Sequence, residues 1–367
     1  MKKTLYLLFI AAIMYDCSSE PHYVIKGNIE GPDSVTFVLQ KREAGTIINI
    51  DSTLSRKGSF KMKGTVGSPD LVQLVALNTM QRLSFYIENA DITITGKLDS
   101  LYNGVVTGSK TQDEYQSFID SNKPLSEKYS DLYAEYQAAR QSNNVVEIAR
   151  IEKEAEAIQA EMTQLEKDFV TNNPSSFVSP SILRSLSYEM DAAEIEETLN
   201  ALDADVAQSP VAQDLMARAQ VMKAVAIGQK APDFTLNNVE GNPVTLSSKI
   251  GAKLLLIDFW AAWCNPCRQE NPNVVKVYKD FHKKGFDVFG VSLDRSKEDW
   301  VNAIDDDKLT WTHVSDLQYW NNAAAKLYAV NAIPANFLLD ENGIIIARNL
   351  RGEDLLNKVS EVLGSVK

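Results

Sequence analysis

Cys264 and Cys267 have two residues between them in Trp263-Cys264-Asn265-Pro266-Cys267-Arg268, and the only other cysteine is Cys17. Thiols at this spacing close a reversible disulfide or hold a metal ion. A tetrahedral zinc site needs four ligands, and neither a second Cys-X-X-Cys nor a histidine pair supplies the other two. No histidine follows Cys267, as covalent haem attachment would require. His22, His282 and His313 are scattered, and each reads as a surface or packing residue. A one-cysteine peroxidase fits poorly, because both thiols share one short loop. Thiol–disulfide exchange remains, with no metal and no cofactor expected. Two carboxylates accompany the pair. Asp258 lies six residues before Cys264 in an otherwise apolar run, where it is a general acid/base or a hydrogen-bonded structural acid. Glu270 follows Cys267 by three residues, one helical turn along and on the thiol side, unless it is simply solvated.

The flanking pattern says what positions these groups. Residues 253–260 (KLLLIDFW) read as a buried strand, and a helical pattern runs from the cysteines to residue 284. Residues 286–293 (FDVFGVSL) and 335–340 (ANFLLD) are further strands, and 344–349 completes a hairpin through Asn342-Gly343. Strands alternating with helices predict a mixed sheet wrapped by helices. The thiols then sit at a strand-to-helix junction, where unpaired amides and the helix dipole favour a thiolate.

The rest of the 367 residues divides by period and by charge. Residues 23–107 contain seven short strand patterns separated by glycine, proline and asparagine turns, which predicts an antiparallel sandwich or barrel. Residues 111–222 change to helical spacing. Tyr115, Phe118, Leu125, Leu132 and Tyr136 form one apolar stripe, Ile148, Ile151, Ile158, Met162 and Phe169 another, with a turn at Ser142-Asn143-Asn144 between them. Two such helices make a hairpin, either with a solvated acidic outer face or as a surface for self-association or partner docking. The chain's net charge of −12 lies in this helical segment. So acidic a chain lacks the basic face that nucleic-acid binding needs.

DFWAAWCNPCRQENP, KGFDVFGVSLD and Ala332-Ile333-Pro334-Ala335, with the Ala231-Pro232-Asp233-Phe234 segment and its Gly241-Asn242 turn, resemble the thioredoxin superfamily. The TlpA/ResA-like thiol-disulfide oxidoreductases are the most similar branch, over residues 229–365. The resemblance implies a thioredoxin-like α/β fold. It makes Cys264 the nucleophile, its pKa drawn down toward ~7 or below by the helix terminus, and Cys267 the resolving thiol. Thioredoxin has an aspartate matching Asp258 that relays a proton for the inner thiol, where TlpA-like relatives often have asparagine. ResA-like proteins have a glutamate matching Glu270 beside the cysteines. Ile333-Pro334 matches the family's cis-proline loop, whose exposed backbone pairs with substrate. Asn265 and Pro266 would tune the redox poise, and Trp263 would shield the thiols. Trp300, Trp311 and Trp320 fall in a segment resembling the branch's extra helix and strand, as core or as a rim of the substrate groove. The β-rich region resembles the amino-terminal domain of unknown function often joined to such proteins.

Met1-Lys2-Lys3 and the apolar run at 5–13 predict an export signal rather than a membrane span, which needs ~20 apolar residues. Cys17, directly after it, resembles the lipidation cysteine of bacterial lipoproteins. The expected organisation is a signal peptide with lipidation cysteine (1–17), a β-rich domain (18–109), a helical hairpin region (110–227) and a thioredoxin-like domain (228–367). The expected activity is thiol–disulfide exchange with substrate proteins in the bacterial cell envelope or periplasm, in the reducing direction. The chain would be held to a membrane by lipid and supplied with electrons by a redox partner. Anchored relatives often reduce apocytochromes during cytochrome c maturation. The alternatives are a disulfide oxidase or isomerase, and a partner-binding lipoprotein with a redox-sensing domain.

Overall fold

Strands whose side chains alternate between core and solvent begin the chain. The computed structural model describes residues 22–43, 46–77 and 79–364, so the signal segment and Cys17 lie outside the described residues. The first strands are β1 (Tyr23–Glu30), β2 (Thr36–Glu43), β3 (Thr46–Leu54), β4 (Ser59–Gly64), β5 (Asp70–Ala76), β6 (Gln81–Ile87), β7 (Asp91–Lys97) and β8 (Val105–Thr107). They form two four-stranded sheets, in the orders β4-β1-β7-β8 and β3-β2-β5-β6. In β4, Phe60 and Met62 are buried while Ser59, Lys61 and Lys63 face water. Both sheets feed one core that includes Ile25, Phe37, Leu74, Phe85 and Ile94. Phe37 and Phe60 stack there at 4.5 Å, and a side chain on Gly27 would run into the Phe60 ring at 2.0 Å.

One ladder departs from the antiparallel expectation. β1 runs parallel to β7, from Val24 opposite Asp91 to Glu30 opposite Lys97. Parallel neighbours need a long connection, and here the whole β2–β6 segment supplies it. Each sheet has two distinct edge strands among the described residues, so neither closes into a barrel.

The helices are α1 (Lys110–Gln141), α2 (Val145–Asn172), α3 (Ser179–Leu186), α4 (Ala192–Asn200), α5 (Ala204–Ala207) and α6 (Pro210–Ala224). Ser109 caps α1 by accepting the Gln112 amide, and the Gln112 side chain accepts the Tyr86 amide of β6. α1 and α2 form an antiparallel hairpin whose turn puts Asn143 in the left-handed region and caps α2 with Asn144. Its seam is Leu132, Ala139, Ile151 and Ile158, and Arg150 joins Glu135 across it at 2.7 Å. Compactness divides the chain differently from the change in periodicity. Of the described residues, those up to 186, with 202–209, form one unit; 187–201, with those from 210 to 364, form the other. The helical region is therefore shared, with α4 and α6 in the second unit.

That second unit continues with β9 (Thr235–Asn238), β10 (Pro243–Thr245), β11 (Leu254–Trp260), α7 (Asn265–Phe281), β12 (Phe286–Ser292), α8 (Lys297–Asp307), β13 (Thr312–Ser315), α9 (Ala323–Leu327), β14 (Ala335–Asp340), β15 (Ile345–Arg348) and α10 (Gly352–Leu363). The strands make one mixed sheet, β10-β9-β13-β12-β11-β14-β15. Central β11 is buried along its whole length, parallel to β12 and antiparallel to β14. Such burial on both faces explains an unbroken apolar run with a single acid in it. No helix among the described residues is long and apolar enough to cross a membrane.

Candidate active site

The thiols lie where β11 gives way to α7. Cys264 is the residue capping α7, and its Sγ accepts the Cys267 amide at 3.2 Å, while Asn265 and Pro266 fill the first helical turn. Proline is tolerated there because the first-turn amides have no helical partner. Cys264 and Cys267 are joined as a disulfide with their Cα atoms 5.3 Å apart. Both are buried, Cys264 at 4% exposure and Cys267 at 1%. The peptide bond between Ile333 and Pro334 is cis, and the Ile333 carbonyl oxygen lies 3.7 Å from Cys264 Sγ. Arg351 holds this loop, donating from Nη2 to the Pro334 carbonyl at 2.7 Å.

Asp258 is buried in β11, and no cation pairs with it among the described residues. Burial, and then the negative charge of Glu270, push its carboxyl up from 3.8 to about 7. Glu270 is half-buried and engaged: Oε1 accepts the Gly352 amide at 2.7 Å and Oε2 accepts Asn273 Nδ2 at 3.0 Å. It ties α7 to the start of α10 while its charge reaches Asp258.

Trp263 is 43% exposed and begins an aromatic cluster. Its ring lies 5.0 Å from Tyr319 and 5.9 Å from Trp320, and the Arg295 guanidinium covers Tyr319 at 4.0 Å. Trp320 is thus at the rim, whereas Trp300 and Trp311 are buried. His313 is buried between Trp260 and Trp311, and burial pushes its pKa down to about 3, which keeps it neutral. His282 stacks on Tyr278.

Two supports escaped sequence reasoning. Asp294, just past β12, accepts the Ala262 amide at 3.1 Å and the Ser292 hydroxyl at 2.8 Å, fixing the loop that leads to Cys264. Its position at the end of a buried strand was the available signal. Asp307, at the end of α8, takes Arg268 Nε at 2.5 Å, Arg268 Nη2 at 2.9 Å and Asn271 Nδ2 at 2.6 Å. Nothing local separates it from Asp305 and Asp306. The structure therefore brings together Cys264, Cys267, Trp263, Ile333 and Pro334, with Asp258 and Glu270 coupled by charge.

Known proteins resemble this chain over two regions. Residues 227–348 match the AhpC/TSA family model, and 23–115 match a domain of unknown function, DUF4369. A thiol-disulfide oxidoreductase ResA of Geobacillus thermodenitrificans is 31% identical over 142 residues, 38% of this chain and 79% of that protein. That of Geobacillus kaustophilus is 33% identical over 135 residues, 36% of this chain and 75% of that protein. The thioredoxin domain of a thiol-disulfide oxidoreductase from Bacteroides vulgatus is 40% identical, with a TM-score of 0.36, covering 38% of this chain and 99% of that domain. With a disulfide at a capped strand–helix junction and this similarity to ResA, the chain belongs to the ResA-like thiol-disulfide oxidoreductase family.

Proposed function

We propose that the protein reduces disulfides of substrate proteins outside the cytoplasm. The Cys264 thiolate attacks a substrate disulfide, forming a mixed disulfide and releasing one substrate thiolate, which takes up a proton. Cys267 then loses its proton to Asp258 and attacks Cys264. The second substrate sulfur leaves as a thiolate and takes that proton from Asp258, and the Cys264–Cys267 disulfide forms. Two electrons pass to substrate, and a separate dithiol donor restores the enzyme. Trp263 and the Ile333 carbonyl would position the substrate segment at the cis-proline edge.

The carrying observation is the charge around the pair. Neither residue between the cysteines is basic, and the strand and helix that meet at the pair carry the acids Asp258 and Glu270, whose charges would oppose a thiolate. A dithiol that is not strongly stabilised is a reductant; a strongly stabilised one is an oxidant. Equilibration with glutathione buffers tests this. A potential close to that of thioredoxin, about −270 mV, is expected, and one near −120 mV would reverse the direction. Insulin reduction driven by dithiothreitol should vanish in Cys264→Ser, and Cys267→Ser should accumulate mixed disulfides with its substrates.

Export and anchoring are the companion part of this reading, supported by the basic start, the apolar run and Cys17. Radioactive fatty acid should label the wild type and not Cys17→Ala. The domain scheme of 1–17, 18–109, 110–227 and 228–367 belongs to the same reading. In it the α1–α2 hairpin is available for self-association.

A further inference from the structure

A cleft of about 700 Å³ opens beside the cis-proline loop, lined wholly by residues of the unit that carries the thiols. Pro334, Ala335, Arg348 and Arg351 line one part, and the segment after Ser187 and the α6 residue Arg218 line another. Three guanidinium groups therefore share it. Among the described residues none of the three is paired with a carboxylate.

Each is held in place by something other than an acid. Arg218 donates Nη1 to Ser187 Oγ at 2.6 Å and Nη2 to the Ser187 carbonyl at 3.2 Å, and lies 5.4 Å from the centre of the Tyr188 ring. Arg348 lies 4.9 Å from the centre of the Phe337 ring. The Nε atoms of both are buried without an acceptor. Arg351 bonds the Pro334 carbonyl at 2.7 Å, one residue beyond the carbonyl that faces Cys264. The other charged groups lining the cleft do not neutralise them. Lys223 is paired with Glu196, Asp191 caps α4 through the Ala193 and Glu194 amides, and Glu189 is exposed.

Burial lowers the pKa of Arg218 and of Arg348, as expected of cations taken from water without a counter-charge. A half-buried guanidinium with an unused donor is costly, and a planar carboxylate relieves that cost with charge-assisted bonds. The exposed Tyr188 ring suits the apolar stem of an acidic side chain. The volume admits several residues, and Pro334 and Ala335 of the cis-proline loop form part of its wall.

We propose that this cleft is a docking site for an acidic segment of the substrate polypeptide, gripped close to the disulfide presented to Cys264. The proposal rests on the exchange reading above and specifies which substrates that reaction selects.

Fluorescence anisotropy on the full-length oxidised protein tests it without turnover. The probes are two labelled peptides with the same cystine loop, one followed by glutamates and the other by glutamines. The glutamate peptide should bind about tenfold more tightly, and that preference should fall with added salt. Arg348→Met and Arg218→Met should each reduce the preference to within about twofold, and Arg348→Lys should retain part of it. Melting curves identify any variant that fails to fold, and the salt dependence of the wild type stands independently of the variants. Equal affinity for the two peptides, or a preference unchanged in both methionine variants, overturns the proposal. So does inorganic phosphate binding as tightly as the glutamate peptide, which would assign the cleft to a small anion. Self-association lost in Arg348→Met would assign it instead to a second copy and equally overturn it. Insulin turnover in the same preparation separates the two readings. Turnover without peptide preference sinks only the docking site, and preference without Cys264-dependent turnover sinks the exchange reading.

Discussion

Asp258 concentrates the chemistry that a single residue contributes. Its folded-state pKa, about 7 against 3.8 in the unbound carboxyl, means the folded protein keeps a proton that the unfolded chain has released. The group costs nothing below about pH 4. Its penalty grows as pH rises toward 7 and then levels off, at no more than about 4 kcal/mol. Asp258→Asn should therefore melt several degrees higher than wild type at pH 8 and at the same temperature at pH 4, as read by calorimetry. A gain that does not change with pH would show that the carboxyl is not titrating there. The same variant should slow resolution of the mixed disulfide, because Cys267 loses its proton acceptor. Glu270→Gln removes the charge that assists burial in raising Asp258, yet keeps an acceptor for the Gly352 amide. Its pH–rate profile should move to lower pH. An unmoved profile would limit Glu270 to joining α7 and α10.

At the scale of elements, the strand–helix junction is rigid because acids distant in sequence hold it. Asp294 stops the loop after β11 from drifting, and Asp307 clamps the first turn of α7 through a bidentate bond to Arg268. Asp307→Ala leaves Arg268 and Asn271 without that acceptor, at a cost of about 1–3 kcal/mol in denaturant unfolding. Cys264 alkylation in the reduced protein should change rate with it, since the helix that caps the thiol loses its tether. A variant with unchanged stability and alkylation would make the clamp incidental. Part of this junction was legible beforehand. A buried strand run, a Cys-X-X-Cys and a helical period are patterns within about thirty residues. The two acids were not, because each acts across 32 or more positions.

The whole molecule consists of two compact units, and its tryptophans report on one of them. Trp260, Trp263, Trp300, Trp311 and Trp320 all lie in the unit that carries the thiols. Tryptophan fluorescence should thus follow that unit alone, while far-ultraviolet circular dichroism follows both. Phe85→Ala, in the amino-terminal core, should cost about 3–5 kcal/mol. It should shift the dichroism transition and leave the fluorescence transition in place. Equal shifts in both would mean that the units unfold as one. The acidic excess is shared as well, because Glu189, Asp191, Glu194, Glu196 and Glu197 belong to the second unit.

Sequence alone determined what is written in short-range order: a thiol pair at a helix start, strands of period two, two long amphipathic helices and a ResA-like family. The first three follow from spacing along the chain, where each pattern carries its own physical reason, and the family follows from the resemblance of its motifs. Only tertiary structure decided that β1 pairs in parallel with β7 across the length of a whole sheet. It likewise divided the helices between two units and gathered Arg218, Arg348 and Arg351 beside the cis-proline loop. Such juxtapositions depend on which surfaces bury each other. A lone arginine in a helix or a hairpin has no local pattern that says whether its charge will meet water, an acid, or an unfilled cleft.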